Sequence, residues 1–203
     1  QQVVTDQGVG SFAAGERVVA ADFADLIGKA GHRGRIRRQA AATRRGEAVG
    51  RRVAVVAEQL AQDSGLAVTY IATNEPPDGE MNARVQLHRQ RRPDHWALIE
   101  QPLQLAAVLR AEAAPGRCLL VDCLTLWLTN LLMLDDDQRL AQERDALLDC
   151  LQSLPGTIIL VSNETGLGVV PMGELTRRYV DLAGWLHQAV AERCERVVLT
   201  VAG

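Results

Sequence analysis

From residue 57 onward, apolar and polar positions fall into blocks that read alternately as helix and strand. Ala57 to Gln62 has helical spacing and is stopped by Asp63-Ser64-Gly65, with the glycine suited to a helix C-cap. Leu66 to Ala72 is a short apolar run rich in β-formers, hence a buried strand. Pro76 and Pro77 keep the stretch from Asn74 to Gly79 out of regular structure, and Glu80 to Gln90 is helical up to Arg92-Pro93. Leu103 to Ala113 predicts a helix, and Arg117 to Val121 a second buried strand ending in Asp122. Further on come a strongly apolar helix (Leu124 to Leu134), an acidic surface stretch (Asp135 to Asp137) and an amphipathic helix (Ala141 to Leu154). A third buried strand (Thr157 to Val161), a long helix (Leu175 to Glu195) and a last strand (Val197 to Val201) complete the series.

Apolar strands alternating with helices imply an α/β fold of three layers, with a mostly parallel sheet covered on both faces. Ligands of such sheets bind outside the carboxyl ends of the strands. Three strands here end in polar residues suited to that rim: Ala72-Thr73-Asn74, Asp122 and Ser162-Asn163-Glu164.

Residues 1–56 read differently. Their periodicity is weak except around Val18 to Ile27, which predicts a short helix, and Gly31 to Arg38 reads as solvated. Ten Lys/Arg stand against five Asp/Glu in residues 1–56, a net of +5, and twelve against twenty in residues 57–203, a net of -8. The chain is therefore divided into an atypical segment, 1–56, expected to be poorly ordered or a misread start, and an α/β domain, 57–203. A nucleic-acid arm is not expected, because no aromatics are interleaved with the arginines and the whole chain carries -3. Cys118, Cys123, Cys150 and Cys194 are too far apart for a metal motif and read as buried thiols of a reducing compartment. No apolar run approaches the roughly 18 residues of a membrane span, so a cytoplasmic enzyme is expected.

One stretch stands out chemically: Arg84-Val85-Gln86-Leu87-His88-Arg89-Gln90-Arg91-Arg92-Pro93. A neutral imidazole is a good nucleophile toward phosphorus, and guanidinium forks match phosphate oxygens. Alone, the stretch equally fits a solvated basic helix end. Leu119-Leu120-Val121-Asp122 has the form of a strand delivering a carboxylate to a phosphate-bound Mg²⁺, and Asp122 would serve equally as a helix cap. In Asn163-Glu164-Thr165-Gly166-Leu167-Gly168-Val169-Val170-Pro171 the two glycines permit close backbone approach to a ligand, or simply an ordinary loop.

Taken in order, Ile71-Ala72-Thr73, Glu80-Met81, Arg84-Val85-x-x-His88-Arg89-x-x-Arg92-Pro93-x-x-Trp96, Asp122-Cys123-Leu124-Thr125 with Thr129-Asn130-Leu131-Leu132, the Asn163 to Pro171 run and Arg178-Tyr179-x-Asp181-x-x-Gly184 resemble one family. It is the bifunctional adenosylcobinamide kinase / adenosylcobinamide-phosphate guanylyltransferase family of cobalamin biosynthesis. The resemblance implies a P-loop fold of the RecA-like kind, GTP and ATP as substrates with Mg²⁺, and adenosylcobinamide and its phosphate as acceptors. It also implies a homo-oligomer. The family's guanylylated histidine falls on His88; its nucleotide contacts fall on Ala72, Thr73, Asn74, Arg89, Gln90, Arg91, Arg92, Glu100 and Asp122, with Asp122 the metal residue. His95 is read as a surface residue beside Trp96.

The chain departs from the family where a Gly-x-x-x-x-Gly-Lys-Ser/Thr loop should precede Ala57. Gly46 to Val56 lacks the Lys-Ser pair, Gly10 to Arg17 has Glu16 in the lysine's place, and Lys29 after Gly28 lacks the upstream glycine. Two rivals follow: a relative that binds nucleotide without catalysis or serves only in assembly, and a P-loop kinase of another small alcohol.

Overall fold

A computed structural model describes residues 15–22, 35–39, 49–74, 93–166 and 170–200. Seven strands, β1 (Arg17–Asp22), β2 (Arg35–Gln39), β3 (Ala67–Ala72), β4 (Ala97–Glu100), β5 (Arg117–Asp122), β6 (Thr157–Asn163) and β7 (Arg196–Thr200), form one sheet in the order β2-β7-β1-β6-β5-β3-β4. Every pairing is parallel. The described helices are α1 (Val49–Asp63), α2 (Leu105–Glu112), α3 (Leu124–Met133), α4 (Asp137–Leu151) and α5 (Glu174–Ala191).

Alternate strand residues face opposite sides, as a pleated strand requires. Val18, Val68, Tyr70, Leu120, Ile159 and Val198 pack with Val53, Val56, Ala57, Leu60 and Ala61 of α1. Val19, Ile71, Leu119, Val121, Ile158 and Val197 pack beneath α2 to α5 on the other side. Trp127 of α3 lies wholly inside that second core, and its indole N–H donates to the Leu103 carbonyl at 2.7 Å. The three layers are thus built, with four of the five described helices on one face.

Local signals set several boundaries. Gly65 takes φ +64 after the last turn of α1, the left-handed position that its place behind Asp63-Ser64 predicts. Asp136 caps α4 by accepting the Arg139 N–H at 2.9 Å. Gly156 turns the chain from α4 into β6 at φ +78, and a Cβ there would meet the Ala114 carbonyl oxygen at 2.3 Å.

The first 56 residues correct the sequence reading. Val18 onward does not begin a helix: Arg17–Asp22 is strand β1, held between β6 and β7 near the middle of the sheet. Within the stretch from Gly31 to Arg38 that reads as solvated, the chain enters strand β2 (Arg35–Gln39) at the sheet's edge. Helix α1 starts at Val49 and runs through the expected boundary between 56 and 57. Pairing on both sides decides for β1, since two strands supply partners that no isolated segment has. Strand β4 was not predicted; Ala97-Leu98-Ile99-Glu100 is too short a run to establish a period. The predicted helix from Glu80 to Gln90 lies outside the described residues.

Candidate nucleotide site at the carboxyl rim

The chain leaves β3 for β4 on one side and β5 for β6 on the other, so the strand order reverses between β3 and β5. A crevice at such a reversal, beyond the carboxyl ends, is where open parallel sheets hold ligands. Of the residues predicted for nucleotide contact, Ala72, Glu100 and Asp122 end β3, β4 and β5. Ala72 is in register with Glu100 of β4 and with Asp122 of β5, so the three stand side by side along one edge.

Asp122 is half-buried, and its Oδ2 accepts a hydrogen bond from the Tyr70 hydroxyl of the adjoining strand. It does not cap α3: the capping position is Cys123, with no side-chain cap bond, and the Asp122–Cys123 peptide is cis. Of the two readings of this carboxylate, the helix cap is therefore the one the structure removes. Among the described residues, the second oxygen, Oδ1, takes no side-chain bond of this kind and faces other uses at the rim.

Thr73 is fully buried and holds two strand tips together. Its N–H donates to the Asp122 carbonyl at 3.0 Å. Its hydroxyl donates to the Cys123 carbonyl at 2.7 Å and accepts the Cys123 N–H at 2.9 Å. Asn130 of α3 donates to the Thr73 carbonyl at 2.7 Å and to the Pro102 carbonyl at 3.2 Å. All polar groups of Thr73 are thereby taken up inside the protein, so its part is to position Ala72 and Asn74. Asn74 is half-buried, and Glu100 is exposed at the tip of β4. His95 is exposed beside the buried Trp96, as expected. His88, Arg89, Gln90, Arg91 and Arg92 lie outside the described residues.

Past β5 a second polar group gathers, in which the sequence had named Thr125, Ser162, Asn163 and Glu164 but not His187. Thr125 of α3 accepts the Asn163 N–H at 2.8 Å and lies 3.4 Å from the Ser162 hydroxyl. Ser162 is 2.5 Å from Nε2 of His187, a buried histidine on α5, whose Nδ1 is 4.0 Å from Glu164. The other Glu164 oxygen accepts the Gly166 N–H. The histidine comes from 25 residues away, and no local spacing links it to Ser162.

The cysteines carry no chemistry here. Burial pushes the thiols of Cys118, Cys123 and Cys194 up to about 12 and raises that of Cys150. Such thiols stay protonated and unreactive. Among the described residues no group of three His, Cys, Asp or Glu side chains is arranged to hold a metal, and no helix is long and apolar enough to cross a membrane.

The model of the CobU family, cobinamide kinase / cobinamide phosphate guanyltransferase, matches residues 53–203. The chain belongs to this family. A relative from Pseudomonas aeruginosa, the bifunctional adenosylcobalamin biosynthesis protein CobP, is 72% identical over 148 residues, which are 73% of this chain and 86% of the relative. The Escherichia coli protein CobU, of the same description, is 37% identical over 160 residues, 72% of this chain and 88% of its own length. CobU of Salmonella typhimurium is 36% identical over 149 residues, 67% and 82% of the two chains. The family is one of transferases acting with nucleotide substrates, and its match takes in the whole rim from Ala72 to Glu164. Strands β1 and β2 fall outside the matched residues.

Proposed function

We propose that the protein transfers GMP from GTP to adenosylcobinamide phosphate through His88, and that its kinase step phosphorylates adenosylcobinamide. One observation carries this reading: Ala72, Glu100 and Asp122 occupy adjacent places where the strand order reverses. In the first half-reaction an unprotonated His88 nitrogen attacks the α-phosphorus, a P–N bond forms and pyrophosphate leaves. In the second, a phosphate oxygen of the acceptor attacks the same phosphorus, the P–N bond breaks and His88 is regenerated. Ala72, Asn74 and Glu100 hold the guanine nucleoside, with Thr73 fixing them from behind. Arg89, Arg91 and Arg92, with Gln90, neutralise the transferred group and pyrophosphate, the kind of fixed charge that is usually the largest catalytic term.

The carboxylate of Asp122 suits Mg²⁺, which is commonly bound by one or two carboxylates plus substrate phosphates and water. Asp122 would hold it, and the ion would supply charge neutralisation at the phosphates. The kinase step is weakened most in this chain, because no Gly-x-x-x-x-Gly-Lys-Ser/Thr occurs in its 203 residues. ATP and GTP as phosphate donors belong to the same proposal.

Incubation with GTP labelled at the α-phosphate tests it. An acid-labile adduct is expected on the wild type and none on His88→Ala; an adduct that survived this change would remove His88 from the role. The missing loop favours one rival, a nucleotide-binding relative without catalysis, and that rival predicts GTP binding with no adduct at all.

A further inference from the structure

Asp122 ends β5 on the same side of the sheet as Leu120, the side covered by α1. Tyr70 and Ala72 of β3 stand on that side too. In register, Tyr70 is level with Leu120 and Ala72 with Asp122. Ala72 offers only a methyl group beside the carboxylate, and the longer phenol reaches forward past it to donate to Oδ2. The tyrosine is 3% exposed and belongs to the core of Val68, Leu120 and Val161. A ring locked in this way fixes the oxygen that its hydroxyl holds.

The two oxygens of Asp122 are therefore unequal. Oδ2 is turned back toward the core and held there. Oδ1 belongs to a half-buried residue at the strand's last position. Among the described residues, the buried polar side-chain atoms without a partner are Thr157 Oγ1, Asn163 Oδ1 and the Tyr179 hydroxyl, and Asp122 Oδ1 is not one of them. It is the oxygen open to the rim.

We infer that Tyr70 is a positioning residue that keeps Asp122 a one-oxygen ligand and so biases the site toward Mg²⁺ and against Ca²⁺. The inference rests on the proposed role of Asp122 toward Mg²⁺. Mg²⁺ is small, demands octahedral geometry and keeps several waters, so one carboxylate oxygen suffices. Ca²⁺ is larger, takes about six to eight oxygens and readily draws both from one carboxylate. To give both, Asp122 must swing Oδ2 toward the rim and away from the phenol. Mg²⁺ asks for no such exchange. Tyr70 thus acts on the choice of ion through Asp122, without meeting the ion itself.

Equilibrium dialysis of the full chain against α,β-methylene GTP tests it, using wild type, Tyr70→Phe and Asp122→Asn. The methylene bridge prevents loss of pyrophosphate, so binding is read apart from transfer. Each protein is measured without divalent ion, with Mg²⁺ and with Ca²⁺. Loss of a hydrogen bond to a charged group corresponds to roughly tenfold in an equilibrium constant. Tyr70→Phe is expected to shift the ratio of the two Kd values toward Ca²⁺ by about that much, with ion-free binding unchanged. A merely structural tyrosine would weaken all three conditions alike, and that result, or an unchanged ratio, overturns the inference. Asp122→Asn gives a second reading if Tyr70→Phe fails to fold. An amide carries a single oxygen, so a wild type that already uses one should lose Mg²⁺ and Ca²⁺ alike. A selective loss of Ca²⁺ would mean that both oxygens were in use, and overturns the inference. Ion-promoted binding that Asp122→Asn leaves intact instead overturns the proposed role of Asp122.

Discussion

At the amino end of the sheet, long charged side chains do the joining. Arg17 is nearly buried; its guanidinium donates to the Leu151 and Leu154 carbonyls and, at 2.9 Å, to that of Gly15. It also meets Glu195 at 3.4 Å, while one strand over Arg196 meets Glu16 at 3.2 Å, so residues 16–17 and 195–196 are cross-linked by a reciprocal pair. At the carboxyl end, Thr73, Asn130, Thr125 and Ser162 join the tips with short neutral side chains. A guanidinium buried among carbonyls is rigid and expensive to disturb. Hydroxyls and amides fix backbone positions and leave the field at the rim to the ligand and to the carboxylates Glu100, Asp122 and Glu164. The two ends of one sheet are thus held by different chemistry, one for cohesion and one for reception.

The largest effect expected from this contrast is at the amino end. Arg17→Met strands several carbonyls and a partner carboxylate, and should cost about 3 kcal/mol in urea unfolding. Its GTP labelling per folded molecule should stay near that of the wild type; a loss of labelling without a loss of stability would break the contrast. Next comes Asp122→Asn, which still accepts the Tyr70 hydroxyl but lacks the charge. Labelling by GTP should fall about tenfold or more, with a thermal midpoint close to the wild type. A midpoint that dropped as far as that of Arg17→Met would make Asp122 a stabilising residue first. The smallest effect concerns alkaline pH. Cys118, Cys123 and Cys194 hold their protons to about 12 when folded, against 9.0 for an ordinary thiol. Between those values the unfolded chain binds fewer protons, so stability is intact below pH 9 and falls as pH rises toward 12. Below pH 9, thiol reagents should reach these cysteines only after denaturation.

What the sequence disclosed and what it hid follow from where each signal resides. β3, β5 and β6 are apolar runs bounded by glycine, proline and polar tips, so type and direction were both legible. Ala72 and Asp122 were legible with them, because a strand's last residue is also its rim residue. β1 was not, since Arg17-Val18-Val19-Ala20-Ala21-Asp22 opens on a buried arginine and owes its form to strands 140 and more residues away. Thr73 was expected to touch nucleotide, and its inward bonds became visible only once β5 lay beside it. His187 shares no local pattern with Ser162 and Glu164, and only the docking of α5 brings it to them.

The offset of β3 against β5 has a consequence for mutation. Side chains change sides at each step along a strand, and Tyr70 reaches Asp122 only because Ala72 stands level with it. Deleting a single residue near the start of β5, at Cys118 for example, would swing the carboxylate toward the helices of the opposite layer and bring Cys123 into its place. Such a lesion would silence the enzyme from the far end of a strand while sparing every group that meets substrate.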